Sequence, residues 1–189
     1  LMDNITYAHY IQQNILPASQ KNEKNLDEHF IIWKPREKVG GDFYWLKNID
    51  NHLLLAIIDC TGHGVPGALM TMTANAVLNR IVDTESTTDP AFILQELNQV
   101  LKETLHQNDN DLQRDDGLDI GLCSLNLNSG TLTYAGAKMT LYYSENNEIN
   151  QIKGDRHNLG YQRSRKNYKF TNHELDLNHK TFYLTTDGF

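Results

Sequence analysis

Leu53-Leu54-Leu55-Ala56-Ile57-Ile58-Asp59-Cys60-Thr61-Gly62-His63-Gly64 reads as a strand, apolar throughout, that ends on a carboxylate and a glycine-rich turn. Such a run fits a central strand covered on both faces. Ending it on Asp59 is costly unless the carboxylate binds a cation or accepts several hydrogen bonds. Upstream, Val39-Gly40-Gly41-Asp42 leads into a second strand-forming run, Phe43-Tyr44-Trp45-Leu46. The 17-residue separation of Asp42 and Asp59 suits two antiparallel strands joined by a hairpin, with both carboxylates at one sheet edge. A third signature, Thr186-Asp187-Gly188, can join them only through tertiary folding. Oxygen ligands of this kind favour Mg2+ or Mn2+ over Zn2+ or copper. Two such ions could clamp a phosphoryl group during in-line attack, which points to phosphoester hydrolysis.

Composition narrows the alternatives. A chain of 189 residues, 39% hydrophobic, holds one domain with a substantial core. A formal net charge of −7 argues against a nucleic-acid partner, and against a generic nuclease, because phosphate backbones demand a dense basic face. Cys60 and Cys123 lie in apolar runs without metal-ligand spacing, so neither a disulfide framework nor zinc is expected. That fits a reducing, cytoplasmic setting. No apolar stretch approaches the roughly 20 residues needed to cross a bilayer. The segment is expected not to insert in a membrane directly, although it could be the cytoplasmic domain of a membrane-bound regulator.

Along the chain, residues 1–20 are expected to form a linker or signalling helix and residues 21–189 the main domain. Ile5, Ala8, Ile11 and Ile15 make a narrow apolar stripe that stops at Pro17. The stripe either docks on its own domain or forms a seam with a second chain or an upstream module. Residues 18–25 read as a linker. Phe30-Ile31-Ile32-Trp33 reads as a first strand, followed by the two strands above. Helical spacing then covers 65–82 and 90–106, the second helix capped by Asp89. Residues 108–117 form a polar, acidic loop. Strands follow at 120–127, 131–136, 141–144, 148–153 and 181–185, with turns at Asn128-Ser129-Gly130 and Glu145-Asn146-Asn147. This order describes an α+β fold.

Val39-Gly40-Gly41-Asp42-Phe43-Tyr44, the Asp59 to Gly64 motif with Val65-Pro66-Gly67-Ala68-Leu69-Met70 behind it, Tyr134-Ala135-Gly136-Ala137 and Thr186-Asp187-Gly188 occur in the order of one known family. The chain resembles the metal-dependent type 2C (PPM) protein serine/threonine phosphatases, in the bacterial branch of the sporulation stage II and sigma-factor regulatory phosphatases. The resemblance implies a four-layer α-β-β-α sandwich of two antiparallel sheets flanked by helices, with two Mn2+ or Mg2+ ions at one sheet edge. Asp59 would bridge the ions, the Cys60 backbone carbonyl would help hold the first, Asp187 would hold the second, and Asp42 would act largely through coordinated water. Phosphoserine or phosphothreonine would be hydrolysed by metal-activated water.

His63 matches the position that protonates the leaving-group oxygen; the alternative is a histidine that fixes the loop by hydrogen bonds. Arg36 and Lys38 precede Asp42 where relatives grip the phosphate, against the plainer reading of solvated surface charge. Asp119 heads a strand and is either a ligand or an ordinary strand-start aspartate. Ala137 stands where many eukaryotic relatives place an aspartate for a third metal. In the family a further helix and strand follow, carrying another metal-ligating aspartate, so the C-terminal part of the fold is expected to be missing from this sequence.

Tyr10-Ile11-Gln12-Gln13-Asn14-Ile15-Leu16-Pro17 resembles the helix that joins an upstream sensor domain to the catalytic domain and supports a homodimer. The expected partner is a phosphorylated signalling protein similar to an anti-sigma-factor antagonist. The alternative is a catalytically weak or inactive signalling or dimerisation module that retains the fold.

Overall fold

The computed structural model describes residues 2–15, 29–35, 37–105 and 115–188. Helix α1 (Met2–Ile15) leads to strands β1 (Asp42–Ile49) and β2 (His52–Cys60), then helices α2 (Gly64–Glu85) and α3 (Pro90–Thr104). Six strands follow: β3 (Leu118–Asn126), β4 (Thr131–Ala137), β5 (Thr140–Glu145), β6 (Glu148–Lys153), β7 (His173–Asp176) and β8 (Thr181–Tyr183). They form an antiparallel five-stranded sheet, β1-β2-β3-β4-β7, and a three-stranded one, β6-β5-β8.

Alternation along the strands separates two cores. Phe43 and Trp45 of β1, Leu54, Ala56, Ile58 and Cys60 of β2, and Leu118, Ile120 and Leu122 of β3 pack with α2 and α3. Each such side chain contributes about 1.5–3 kcal/mol when fully withdrawn from water. The second core lies between the sheets, where Cys123, Leu132, Tyr134 and Leu141 meet Ile152, Leu175 and Phe182. The expected arrangement of two antiparallel sheets flanked by helices is present. Among the described residues the helices cover the five-stranded sheet, and none is placed on the outer face of the three-stranded one.

Asp89 caps α3 by accepting from Phe92 N at 3.2 Å, as its position before Pro90 predicts. Asn146 and Asn147 both adopt positive φ, 51° and 65°, which suits the tight turn between β5 and β6. Cys60 and Cys123 are buried free thiols. β2 is an interior strand, paired on both sides with β1 and β3, although Leu55 and Ile57, on the face away from the helices, are half-buried.

Three expectations change. Phe30 to Trp33 is not a strand: Phe30 and Ile32 are exposed, and Trp33 instead donates its indole N–H to Asp42 O at 2.8 Å. β propensity without a neighbouring strand to pair with does not make a strand. β7 is an unanticipated strand, because His173-Glu174-Leu175-Asp176 carries few strand formers; it is recruited by pairing with β4. The last strand is shorter than expected, Thr181–Tyr183. The linker at 18–25 and residues 108–114 of the acidic loop lie outside the described residues, as does residue 106, the last expected of α3; the helix itself ends at Thr104 with Leu105 as its C-cap.

Helix α1 docks on its own domain. Gln12, 2% exposed, donates Nε2 to Gly40 O at 2.7 Å and to Thr71 Oγ1 at 3.1 Å, while its Oε1 accepts from Gly40 N at 3.2 Å. The stripe therefore contains a polar residue at its centre, and Tyr7 and Tyr10 face outward.

Candidate active site

Antiparallel register brings the carboxylates together. Asp42 of β1 stands opposite Asp59 of β2, and Asp59 stands opposite Asp119 of β3. Directly opposed residues share a sheet face, so the three form one row. That face is turned away from α2 and α3, because Cys60, Leu118 and Phe43, one position along, all join the helix-side core. The chain returns after β8: Thr186 donates its hydroxyl to Asp42 Oδ2 at 2.8 Å, and the charge of Asp187 acts on both Asp59 and Asp119.

The electrostatics are those of crowded acids. Burial pushes the Asp59 carboxyl up to about 7, and the charge of Asp42, a hydrogen bond with Asp42, Asp187 and Asp119 add to that push. Asp119 is also raised, chiefly by burial; Lys138 opposes the rise, Asp187 adds to it and Arg163 opposes it. Its Oδ1 is buried without a hydrogen-bond partner. An unpartnered carboxylate oxygen in a row of carboxylates is what a hard cation would satisfy. The side chains are not drawn onto a common point: among the described residues no three His, Cys, Asp or Glu side chains form a ready-made ligand cluster. The donor set nevertheless fits Mg2+ or Mn2+, with Asp42, Asp59, Asp119 and Asp187 as the residues available to hold them.

Backbone packs on backbone around this row. A Cβ on Gly41 would lie 2.6 Å from both Cys60 O and Gly62 O, and one on Gly67 would lie 2.6 Å from Gly62 O and 2.9 Å from Gly41 N. Only glycine permits that approach. Cys60 N also donates to Gly41 O at 3.2 Å, tying the two motifs.

His63 is the N-cap residue of α2, yet its side chain makes no capping bond. It lies 2.7 Å, through Nδ1, from Glu37 Oε1, and its side chain is 71% exposed. Lys38 reaches away to Thr6 Oγ1 of α1 at 3.0 Å, and Arg36 lies outside the described residues. Thr61 links the motif to later segments: its hydroxyl donates to Gly117 O at 2.7 Å and lies 3.0 Å from the Tyr161 hydroxyl. Gln12, Trp33, Glu37 and Tyr161 were not singled out from sequence as site residues. Gln12 lies in the 10–17 helix motif and Trp33 in a strand-forming run, but the bonds they make depend on tertiary folding.

The family model for stage II sporulation protein E (SpoIIE) matches residues 49–189. The chain belongs to the SpoIIE family. It is thus a bacterial phosphatase domain of the PP2C, or PPM, type. The SiaA-PP2C domain of Pseudomonas aeruginosa is 39% identical, with a TM-score of 0.85 over 99% of this chain and 72% of that one. Lower-identity structures share the fold alone. The RsbU and RsbW domains of Rv1364c from Mycobacterium tuberculosis match at 17% identity and TM-score 0.61, over 79% of this chain and 39% of that one. RsbX in complex with magnesium matches at 20% and 0.59, over 84% and 72%. No curated protein matches. No helix among the described residues is long and apolar enough to cross a membrane.

Proposed function

We propose that this SpoIIE-family domain hydrolyses phosphoserine or phosphothreonine on a signalling partner protein, with two Mn2+ or Mg2+ ions held by Asp42, Asp59 and Asp187 together with the Cys60 carbonyl. The observation that carries the reading is the register of Asp42, Asp59 and Asp119 across three adjacent strands, with Asp187 returning to the same row. Asp119 joins the candidate ligands, on its unpartnered buried oxygen. When bound, the ions would neutralise the phosphoryl group and acidify a water. The crowded carboxylates create the negative field that attracts such ions. Glu37 orients the His63 imidazole through Nδ1, a placement that suits proton donation from the ring to the leaving serine or threonine oxygen.

The setting we propose is regulatory: the substrate resembles an anti-sigma-factor antagonist and an upstream sensor acts through α1. Outward-facing Tyr7 and Tyr10 leave that helix a surface for a second copy. A cytoplasmic location follows from that role. The test is Mn2+-dependent release of phosphate from a phosphoserine peptide by the full-length protein. Asp59→Asn should abolish it, and equal turnover by the variant would refute the site. Binding of partner without turnover in the wild type would favour a non-catalytic signalling module.

A further inference from the structure

The segment from Asp155 to Phe170 is basic in an acidic chain. It holds Arg156, Arg163, Arg165, Lys166 and Lys169 against one carboxylate, Asp155. It is also firmly built. Asn98 of α3 donates to Arg165 O at 2.9 Å and accepts from Gly160 N at 3.0 Å. Lys102, 3% exposed, donates to Tyr161 O at 2.7 Å and Gln162 O at 2.8 Å. Ser164 N closes a turn on Tyr161 O at 3.0 Å. A buried lysine spent on two loop carbonyls fixes the turn whose tip carries Arg163.

That turn abuts the acidic row. Tyr161 reaches Thr61, two residues beyond Asp59, and the Arg163 guanidinium stacks on the Tyr161 ring, 5.3 Å from its centroid. Stacking presets the long side chain and leaves its N–H groups to bond elsewhere. The residue is exposed, and among the described residues it forms no ion pair with a carboxylate. A cation so placed attracts the phosphate that the metal ions bind. Lys38, by contrast, is turned toward α1.

We propose that Arg163, stacked on Tyr161 at the rim of the carboxylate row, is a substrate-binding residue that takes the phosphoryl oxygens of the phosphoserine or phosphothreonine. This deepens the phosphatase reading and rests on it. The planar fork bonds two phosphoryl oxygens at once, and the stack supplies the orientation.

Arg163→Ala should lower kcat/KM about 10- to 100-fold, the usual worth of a charged hydrogen bond to phosphate. The loss should be alike for a phosphoserine peptide and p-nitrophenyl phosphate, whereas Mn2+ affinity and the melting temperature stay at wild-type values. Arg163→Lys should recover part of the loss. Calorimetric binding of inorganic phosphate to the Mn2+-loaded protein should weaken by a similar factor, a readout that needs no turnover. Unchanged phosphate binding in Arg163→Ala would overturn the assignment. A loss confined to the peptide would also overturn it, showing that the basic segment docks protein surface instead. Wild-type protein that binds phosphate through Arg163 but hydrolyses neither substrate would sink the phosphatase reading and leave this assignment standing.

Discussion

Replacing Gln12 by alanine tests whether α1 is structurally part of the site. Gln12 is the sole residue described here as pairing with both the N–H and the C=O of Gly40, two residues before Asp42, and Gly40 is itself buried. Truncation strands both backbone groups, at about 1–3 kcal/mol for each buried polar group left unpaired. Water entering the vacated space offsets part of this, so a loss of about 2–4 kcal/mol is expected. Gln12→Glu is the sharper control. It keeps the shape and still accepts from Gly40 N, but it sets an oxygen against Gly40 O and Thr71 Oγ1. The assay is urea unfolding followed by tryptophan fluorescence, since the Trp33 indole is bonded to Asp42 O. A Mn2+ titration of each variant should show weaker binding, because the loop that sets Asp42 is loosened. Stability within about 0.5 kcal/mol of wild type for both variants, the scatter of ordinary surface changes, would refute the reasoning.

Gly41→Ala should be severe, costing about 3 kcal/mol or more, since its methyl would press on two carbonyl oxygens; thermal melting checks it. Asp59→Asn should stabilise the metal-free protein at neutral pH by removing a buried acid crowded by its neighbours, as a melt in EDTA would show, while abolishing Mn2+-dependent phosphatase activity. Burial lowers the His157 imidazole below its ordinary value, and its Nε2 accepts from Arg165 N at 3.0 Å, a bond that a second ring proton destroys. The folded state thus binds that proton less tightly than the unfolded one. Its stabilisation is whole above about pH 6.5 and is lost as pH falls from there through the lower folded-state value, so amide exchange in the 154–172 segment should accelerate by pH 5.

Much of the site was legible because strand spacing carries it. Asp42 and Asp59 flank two runs of strand formers, and a hairpin of that length can only set their ends side by side. Asp119 was harder to read, since its role depends on which neighbour β3 pairs with and in what register, and a one-residue slip would turn it to the helix side. Phe30 to Trp33 misled through residue preference alone, and β7 was hidden by the lack of it. Gln12 reaches Gly40 across 28 residues, and Tyr161, on which Arg163 stacks, meets Thr61 across 100, separations that no local pattern encodes. The segment that positions Arg163 holds its shape through Asn98 and Lys102, polar residues on an otherwise apolar helix side, where sequence reading favours Leu and Phe.

The contacts among Gly41, Gly62 and Gly67 leave no side chain to act as a cushion where β1, the Asp59 turn and α2 converge. Rigid main chain meeting rigid main chain transmits displacement undamped, and Gly40, the next link, is gripped by α1. A rotation of that helix too slight to disturb either core would therefore arrive at Asp42 nearly undiminished.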